Sequence, residues 1–208
     1  MTIEKLACNM GRNDEIPNIE LAEELCAKKD SKGIKEIADG LYNEDEAAAN
    51  DCIKVLYEIG QRKPELICDY VPVFLSLLKS KNNRLIWGAM TALSYTALLR
   101  PSEIFSQIDS VIKAYEKGSV ITIDTSITVF ASLCSAQMEY EKKLFPLLLK
   151  HFQTCRPKEI CQHAERTLIC ITQKNRKEFL GVLEKRVLDL TESQTKRLQK
   201  VIKKIQEL

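Results

Sequence analysis

Four side chains of types that bind zinc lie close together in the last third of the sequence. They are His151, Cys155, Cys161 and His163. Structural zinc sites usually pair cysteines about two to four residues apart, whereas these two cysteines are further apart, and Cys161 is expected near a helix start. We therefore interpret the four residues as a chance cluster and predict no metal and no other cofactor, with a zinc site as the alternative.

The residue patterns of common enzymatic sites are missing from the sequence. It contains only two histidines, no glycine-rich phosphate loop and no G-x-S-x-G sequence. The sequence therefore predicts a protein that is not an enzyme.

The elements that would carry any functional side chain are clearest between residues 67 and 97. Apolar residues occur there at helical spacing in two runs: Tyr70, Phe74, Leu75, Leu77 and Leu78, then Leu85, Ala89, Ala92, Leu93 and Thr96. The intervening sequence Ser-Lys-Asn-Asn is typical of a turn. This stretch is predicted to form one helical hairpin.

The hairpin pattern recurs along the chain with a period of 37 residues. Pro72 recurs at Pro146, two such steps later, and one step from Leu75 reaches Ile112. Repeated helix pairs of this length indicate an α-solenoid, in which stacked repeats bury a shared core. We predict a single all-α domain over 1–208, a right-handed α–α superhelix of about five hairpins. The predicted parts are an N-terminal cap at 1–30 and repeats at 31–62, 64–99, 101–136, 138–174 and 176–208.

The third repeat contains a β-branched stretch, VITIDTSITVF, at 120–130. Its composition alone would favour a strand, but β-propensity depends strongly on context. Ile123, Val129 and Phe130 lie on a helical stripe in register with the neighbouring repeats, so we predict a helix.

Acidic and basic residues are distributed unevenly. Residues 1–60 contain 7 basic and 14 acidic residues, whereas residues 141–208 contain 16 basic and 8 acidic ones. The basic end makes nucleic acid or an acidic protein an alternative partner there, or allows head-to-tail self-association, and a plain solvated surface is the simpler interpretation. The oligomeric state is left open.

The cysteines and the hydropathy indicate the compartment. The N-terminal sequence lacks the apolar core of a signal peptide, and Cys52, Cys134 and Cys170 fall on apolar helical stripes, where a free cysteine behaves as a small buried hydrophobe. No apolar run reaches about 18 residues, so no membrane-spanning helix is predicted. We expect a reduced, cytoplasmic protein.

The second repeat resembles the HEAT repeat, which has a proline partway along its first helix, leucines after it, and an alanine-rich second helix ending in Ala-Leu. The matching residues are Pro72, Leu77, Leu78, Ala89, Ala92 and Leu93, with Pro146, Leu148 and Leu149 in the fourth repeat. The aspartate and arginine that often link HEAT repeats are largely replaced, by Asn82 and Ile86 among others, and only Asp45 fits. The resemblance covers about residues 31 to 190 and implies a divergent member that binds a partner along its inner, second-helix face.

A candidate binding row lies on the second helices, opposite their core stripe. It consists of Tyr57, Arg84, Trp87, Thr91, Asp124, Thr128 and Arg166. Trp87 is the only tryptophan, and aromatic anchors carry much of the energy of binding surfaces. The alternative is that Trp87 packs against a neighbouring helix.

The predicted function is non-catalytic macromolecular recognition, as a scaffold or adaptor that binds a protein partner along this row. Trp87 and Asp124, with Arg84 nearby, also resemble the bacterial alkylpurine DNA glycosylases, in which aromatics hold the lesion and a carboxylate supports cleavage. A HEAT-like DNA-binding protein or glycosylase is therefore the alternative. DNA binding relies on phosphate neutralisation, and the row is mixed rather than basic, which favours a protein partner.

Overall fold

The computed structural model describes residues 1–208, and these contain helices but no β-strand. The α-helices are α1 (Ile16–Lys28), α2 (Ser31–Asp39), α3 (Glu46–Arg62), α4 (Val71–Leu77), α5 (Asn83–Thr96), α6 (Pro101–Ser106), α7 (Ile108–Lys117), α8 (Val120–Ala136), α9 (Met138–Thr154), α10 (Pro157–Thr167), α11 (Arg176–Lys185) and α12 (Glu192–Gln206). The chain divides into two compact units, Met1–Ser126 and Ile127–Leu208, and the boundary falls within α8.

Helix α3 is central to the first unit, because it packs against α1 on one side and α5 on the other. Its core stripe is fully buried and consists of Cys52, Ile53, Val55, Leu56 and Ile59. Burying one such aliphatic side chain contributes about 1.5 to 3 kcal/mol, so this stripe fixes the orientation of α3 between its two neighbours. Cys52, which the sequence places on an apolar helical stripe, is among the buried residues.

Helices α3 and α5 approach each other closely at a glycine. A Cβ atom placed on Gly88 would lie 2.6 Å from Cγ1 of Ile53, a residue with no exposed surface. Ile53 is β-branched and buried, so it has little freedom to move aside. Gly88 therefore sets the spacing of the two helices that carry Tyr57 and Trp87.

Replacing Gly88 with alanine should destabilise the protein, although alanine is normally the better helix former. The steric overlap with Ile53 should cost about 1 to 3 kcal/mol, which exceeds the gain of about 1 kcal/mol in helix propensity. Gly181 of α11 is the matched control, since nothing lies within 4 Å of the Cβ position there. Urea denaturation should show a lower free energy of unfolding for Gly88→Ala and an unchanged or higher one for Gly181→Ala. Equal effects would contradict the close approach.

The β-branched stretch of the third repeat forms helix α8, as predicted. Its hydroxyl groups bond back to the preceding turn: Thr125 Oγ1 donates to the carbonyl of Ile121 at 2.9 Å, and Ser126 Oγ donates to that of Thr122 at 2.7 Å. Such bonds satisfy polar side chains within a helix and allow Ser126 to be fully buried. Packing and local hydrogen bonding thus outweigh the strand propensity.

In the second unit, α9 packs against α11, and α10 and α11 both pack against α12. Phe152 of α9 meets Phe179 of α11 edge-on, with ring centroids 5.1 Å apart, and Phe145 lies 6.4 Å from the same ring. Phe152 and Phe179 have no exposed surface. These aromatic contacts, in addition to the buried area, hold the first helices of adjacent hairpins together.

Candidate functional site

The candidate surface is built where the side of α5 that carries Trp87 lies beside Tyr57 of α3, and two aromatic rings meet there. The ring centroids of Tyr57 and Trp87 are 5.7 Å apart and the planes are tilted by 48°. Tyr57 is 9% exposed, whereas Trp87 is half-buried. Tyr57 therefore packs against one side of the Trp87 ring, and part of that ring remains exposed to solvent.

Each ring also has a cation over it. The guanidinium carbon of Arg84 lies 5.3 Å from the centroid of the Trp87 ring, and the ammonium of Lys54 lies 4.9 Å from that of Tyr57. Cation–π contacts of this length contribute about 0.5 to 2 kcal/mol each, depending on desolvation. They hold the orientation of both aromatic side chains.

The two cations share one carboxylate, that of Glu15, which precedes α1. The Oε2 atom of Glu15 lies 2.9 Å from Lys54 Nζ, and its Oε1 atom accepts from Arg84 Nη2 at 2.5 Å. Burial alone would raise the pKa of Glu15, but the hydrogen bonds from Lys54 and Arg84 outweigh it and lower the pKa. Glu15 is therefore ionised at neutral pH and links the chain before α1 to both α3 and α5.

The network continues along α3. Lys54 donates to Glu58 at 2.8 Å, and Arg62 bridges Glu58 at 2.5 Å and Glu23 at 2.8 Å. Desolvation would lower the pKa of Lys54, but its hydrogen bonds to Glu58 and Glu15 raise it above the usual value. Lys54 remains charged although its side chain is only 7% exposed.

The charges on this surface balance. Its three basic residues are Lys54, Arg62 and Arg84, and its three acidic residues are Glu15, Glu23 and Glu58. Each basic side chain is paired with a carboxylate. The surface therefore consists of a partly exposed aromatic ring surrounded by ion pairs with no net charge, and it is not a basic patch.

Acid should weaken the folded state through these carboxylates. Burial alone would raise the pKa of Glu58, but hydrogen bonds from Lys54 and Arg62 outweigh it, so the pKa is lowered. The pKa of Glu15 is lowered as well. Because the folded values lie below the ordinary value of 4.5, the stabilisation is present above that pH and is lost as the pH falls through the folded values. Urea denaturation from pH about 6 to about 3 should show this loss. Glu58→Gln should lose less stability over that range than the native sequence, and an equal loss would contradict the assignment.

The segment before α1 covers the ends of α3 and α5. The backbone N–H of Cys8 donates to Asp51 Oδ2 at 2.8 Å, and a cavity of about 440 Å³ lies beside it, lined in part by Arg12, Asn50 and Arg84. The sequence predicted an N-terminal cap but not its role in this surface, because nothing in the order of residues signals that Glu15 pairs with groups far along the chain. The sequence shows only that the N-terminal segment is acidic.

The other predicted row residues are placed as follows. Thr91 lies one turn after Trp87, and its hydroxyl donates to the Trp87 carbonyl at 2.8 Å. Asp124 lies on α8 in the first unit and is half-buried. Thr128 and Arg166 belong to the second unit and are also half-buried. Direct contacts thus join Tyr57, Arg84, Trp87 and Thr91.

Of the four zinc-type residues, three lie together in the second unit. One imidazole nitrogen each of His151 and His163 and the sulfur of Cys155 all lie within 4.8 Å of one another. Cys161 points elsewhere, and its thiol donates to the carbonyl of Gln194 at 3.3 Å. Sequence spacing missed this arrangement because the turn between α9 and α10 brings His163 against His151 and Cys155.

No protein-family profile and no curated protein sequence matches the chain. Solved structures do. A designed armadillo repeat protein in complex with the peptide (KR)4 has a TM-score of 0.65 and 15% identity, covering 88% of this chain and 85% of that one. A computationally designed armadillo repeat protein for modular peptide recognition has a TM-score of 0.64 and 14% identity, covering 97% of both chains. An engineered protein has a TM-score of 0.61 and 19% identity, covering 100% of this chain and 97% of that one.

The chain has a helical-repeat solenoid fold. The likeness extends over nearly the whole chain, so the predicted all-α solenoid class is confirmed. The structure also contains no helix that is both long and apolar enough to span a membrane.

Proposed function

We propose that the chain is a non-catalytic recognition module, a scaffold or adaptor that binds a segment of a partner protein along the face of α3 and α5 that carries Tyr57 and Trp87. The observation that carries this proposal is the geometry of Trp87. Its half-open ring is held between Tyr57 and Arg84 at the centre of that face. A buried, fully covered tryptophan would have served packing alone.

The surface suits binding because it is already ordered. Tyr57 fixes one side of the Trp87 ring, Arg84 lies over it, and Glu15 in turn fixes Arg84. Ordering side chains on binding costs about 0.5 to 1.5 kcal/mol for each flexible group. A tryptophan held in place beforehand avoids most of that cost and has the character of a binding hot spot.

The charges favour a protein partner over DNA. Nucleic-acid binding depends on Lys and Arg side chains that neutralise phosphates. Lys54 and Arg84 are instead paired with Glu15, and Arg62 is paired with Glu23 and Glu58. A neutral polar rim around an aromatic anchor is typical of protein interfaces. Nucleic acid at the basic end near α12 is kept as a separate hypothesis.

The structural neighbours support the proposal by analogy only. Two of them are designed armadillo repeat proteins described with a bound peptide or for peptide recognition. Fold likeness does not transfer a function, so the proposal depends on the surface itself. We further propose a HEAT type for the repeats, since Pro146 lies inside α9, and a cytoplasmic location.

A random peptide display library, selected against the purified chain, tests this function and requires no candidate partner. We expect peptides to be enriched whose binding is lost in Trp87→Ala but retained in Tyr42→Ala. Tyr42 is the matched control because it is an aromatic residue, 66% exposed, in a turn before α3. Enriched peptides that bind equally well to both variants would contradict the proposed face.

The glycosylase alternative is tested on the same preparation. Incubation with alkylated duplex DNA should release no base from the native chain. Release that is abolished by Asp124→Asn would overturn the proposal and establish catalysis on this row.

A further inference from the structure

Three side chains that bind metals meet inside the second unit. His151 lies in the last turn of α9, Cys155 follows directly at its end, and His163 lies on α10. The Nε2 atom of His151 is 2.8 Å from Nδ1 of His163, and the Cys155 sulfur completes a group within 4.8 Å. Their exposed fractions are 5%, 9% and 0% for His151, Cys155 and His163.

The fold holds these residues in place from both helices. His151 and Cys155 are four residues apart, and the N–H of Cys155 donates to the His151 carbonyl at 2.8 Å, so both side chains lie on one side of the helix end. Arg186 donates to the carbonyl of Cys155 at 2.8 Å and to that of Phe152, which fixes the turn. The start of α10 is fixed by Arg156, whose Nε donates to Glu159 at 2.8 Å.

We infer that His151, Cys155 and His163 form a binding site for a zinc-class divalent ion. Two imidazole nitrogens and one thiolate are ligands that zinc prefers, with the fourth position left to water or another small ligand. In a tetrahedral zinc site, neighbouring ligand atoms are about 3.3 to 3.6 Å apart, given the usual Zn–N and Zn–S distances. The two histidine nitrogens are closer than that, at 2.8 Å, and no separation exceeds 4.8 Å, so shifts of about 1.3 Å or less would complete the site.

Binding requires that one proton leave the site. A cysteine thiol binds a metal ion as the thiolate, so the ion must displace the proton of Cys155 to form the metal–sulfur bond. Forming the metal–sulfur bond therefore releases the one proton of the thiol.

A hydrogen-bonded histidine pair is the competing explanation for this cluster. It would satisfy one nitrogen of each ring and need no metal. The two explanations differ in the role of sulfur, because the histidine pair does not involve Cys155. A bound ion would also join the end of α9 to α10 and stabilise the second unit by mass action.

Cobalt titration of the metal-free full chain tests the inference directly. Co²⁺ should produce the thiolate-to-cobalt absorption of a tetrahedral site, Zn²⁺ should abolish it, and about one proton should be released per ion. Loss of a residue that only supports a metal ligand costs affinity about 10- to 100-fold, so loss of the ligand itself in Cys155→Ser should weaken binding by at least about 100-fold. Cys161 is the matched control, because it is also a buried cysteine but lies outside the cluster. Cys161→Ser should change the metal affinity by less than about threefold, as expected for a substitution at an independent position.

The outcomes that overturn the site are equally specific. No thiolate band or no proton release would show that the cluster is a histidine pair only, and an equal loss in Cys161→Ser would show that Cys155 is not the specific ligand. If Cys155→Ser does not fold, the band and the proton count in the native chain still decide the question. In thermal unfolding, Zn²⁺ should raise the Tm of the native chain, and no rise would contradict the inference.

Discussion

Trp87→Ala should weaken binding of a display-selected peptide by about 30-fold or more, which corresponds to about 2 kcal/mol. The half-open ring is the largest apolar group on the α3 and α5 face and is already held by Tyr57 and Arg84. Truncation would remove the anchor and release Arg84 to solvent. Isothermal titration calorimetry of the native chain and the variant with the same peptide measures the loss.

The same substitution should cost much less in stability than in binding. The Trp87 ring shares one aromatic contact with Tyr57, and such pairs contribute about 0.5 to 1.5 kcal/mol beyond buried area. We expect a total destabilisation of about 1 to 2 kcal/mol, below the roughly 3 to 5 kcal/mol of a core aromatic. A loss of stability as large as that of Phe74→Ala, a core ring with no exposed surface, would show that Trp87 is a packing residue.

Lys54→Met should destabilise the fold by about 3 kcal/mol, because it leaves buried carboxylates with fewer cations. The side chains of Lys54 and Glu58 are only 7% and 11% exposed, and Lys54 also neutralises Glu15. Arg62 still pairs with Glu58, which places the expected cost at the lower end for broken buried ion pairs. Urea denaturation at neutral pH measures the change.

Lys35→Met is the matched control for this prediction. Lys35 pairs with Asp39 four residues later at 2.6 Å, as Lys54 pairs with Glu58, but its side chain is 68% exposed. An exposed pair of this kind contributes little to stability, because water and salt screen it. Similar costs for the two variants would contradict the view that Lys54 is a buried structural cation.

The helices could be predicted from the sequence because their core stripes recur with a constant period. Even the β-branched residues of α8 follow that stripe, and the structure satisfies their hydroxyl groups within the helix. The predicted N-terminal cap at 1–30 contains α1, which begins at Ile16. Periodicity reports which face is buried, and it therefore determines most of the fold.

The candidate site was predictable only in part. Helical spacing placed Tyr57, Trp87 and Thr91 in one row, but not the depth of each side chain. Tyr57 is nearly covered, because the Trp87 ring and Lys54 both lie against it. The contribution of Glu15 depends on contacts 39 and 69 residues along the chain, to Lys54 and Arg84, and no local pattern encodes those.

Sequence spacing also failed to predict the cluster of His151, Cys155 and His163. Its spacing does not match the usual zinc sequences, which led us to expect a chance cluster. A helix end and a turn bring the three side chains together all the same. Geometry, rather than spacing, is the basis for proposing a metal site there.

Fluorescence of Trp87 is the most direct measurement of the proposed binding face, because the chain contains no other tryptophan. In the free protein, the half-buried ring should be accessible to a neutral quencher such as acrylamide. Saturation with a display-selected peptide that lacks tryptophan should shift the emission to shorter wavelength and protect the ring from quenching. Emission and quenching that stay unchanged at saturation would show that the partner binds elsewhere and would contradict the proposed function of this face.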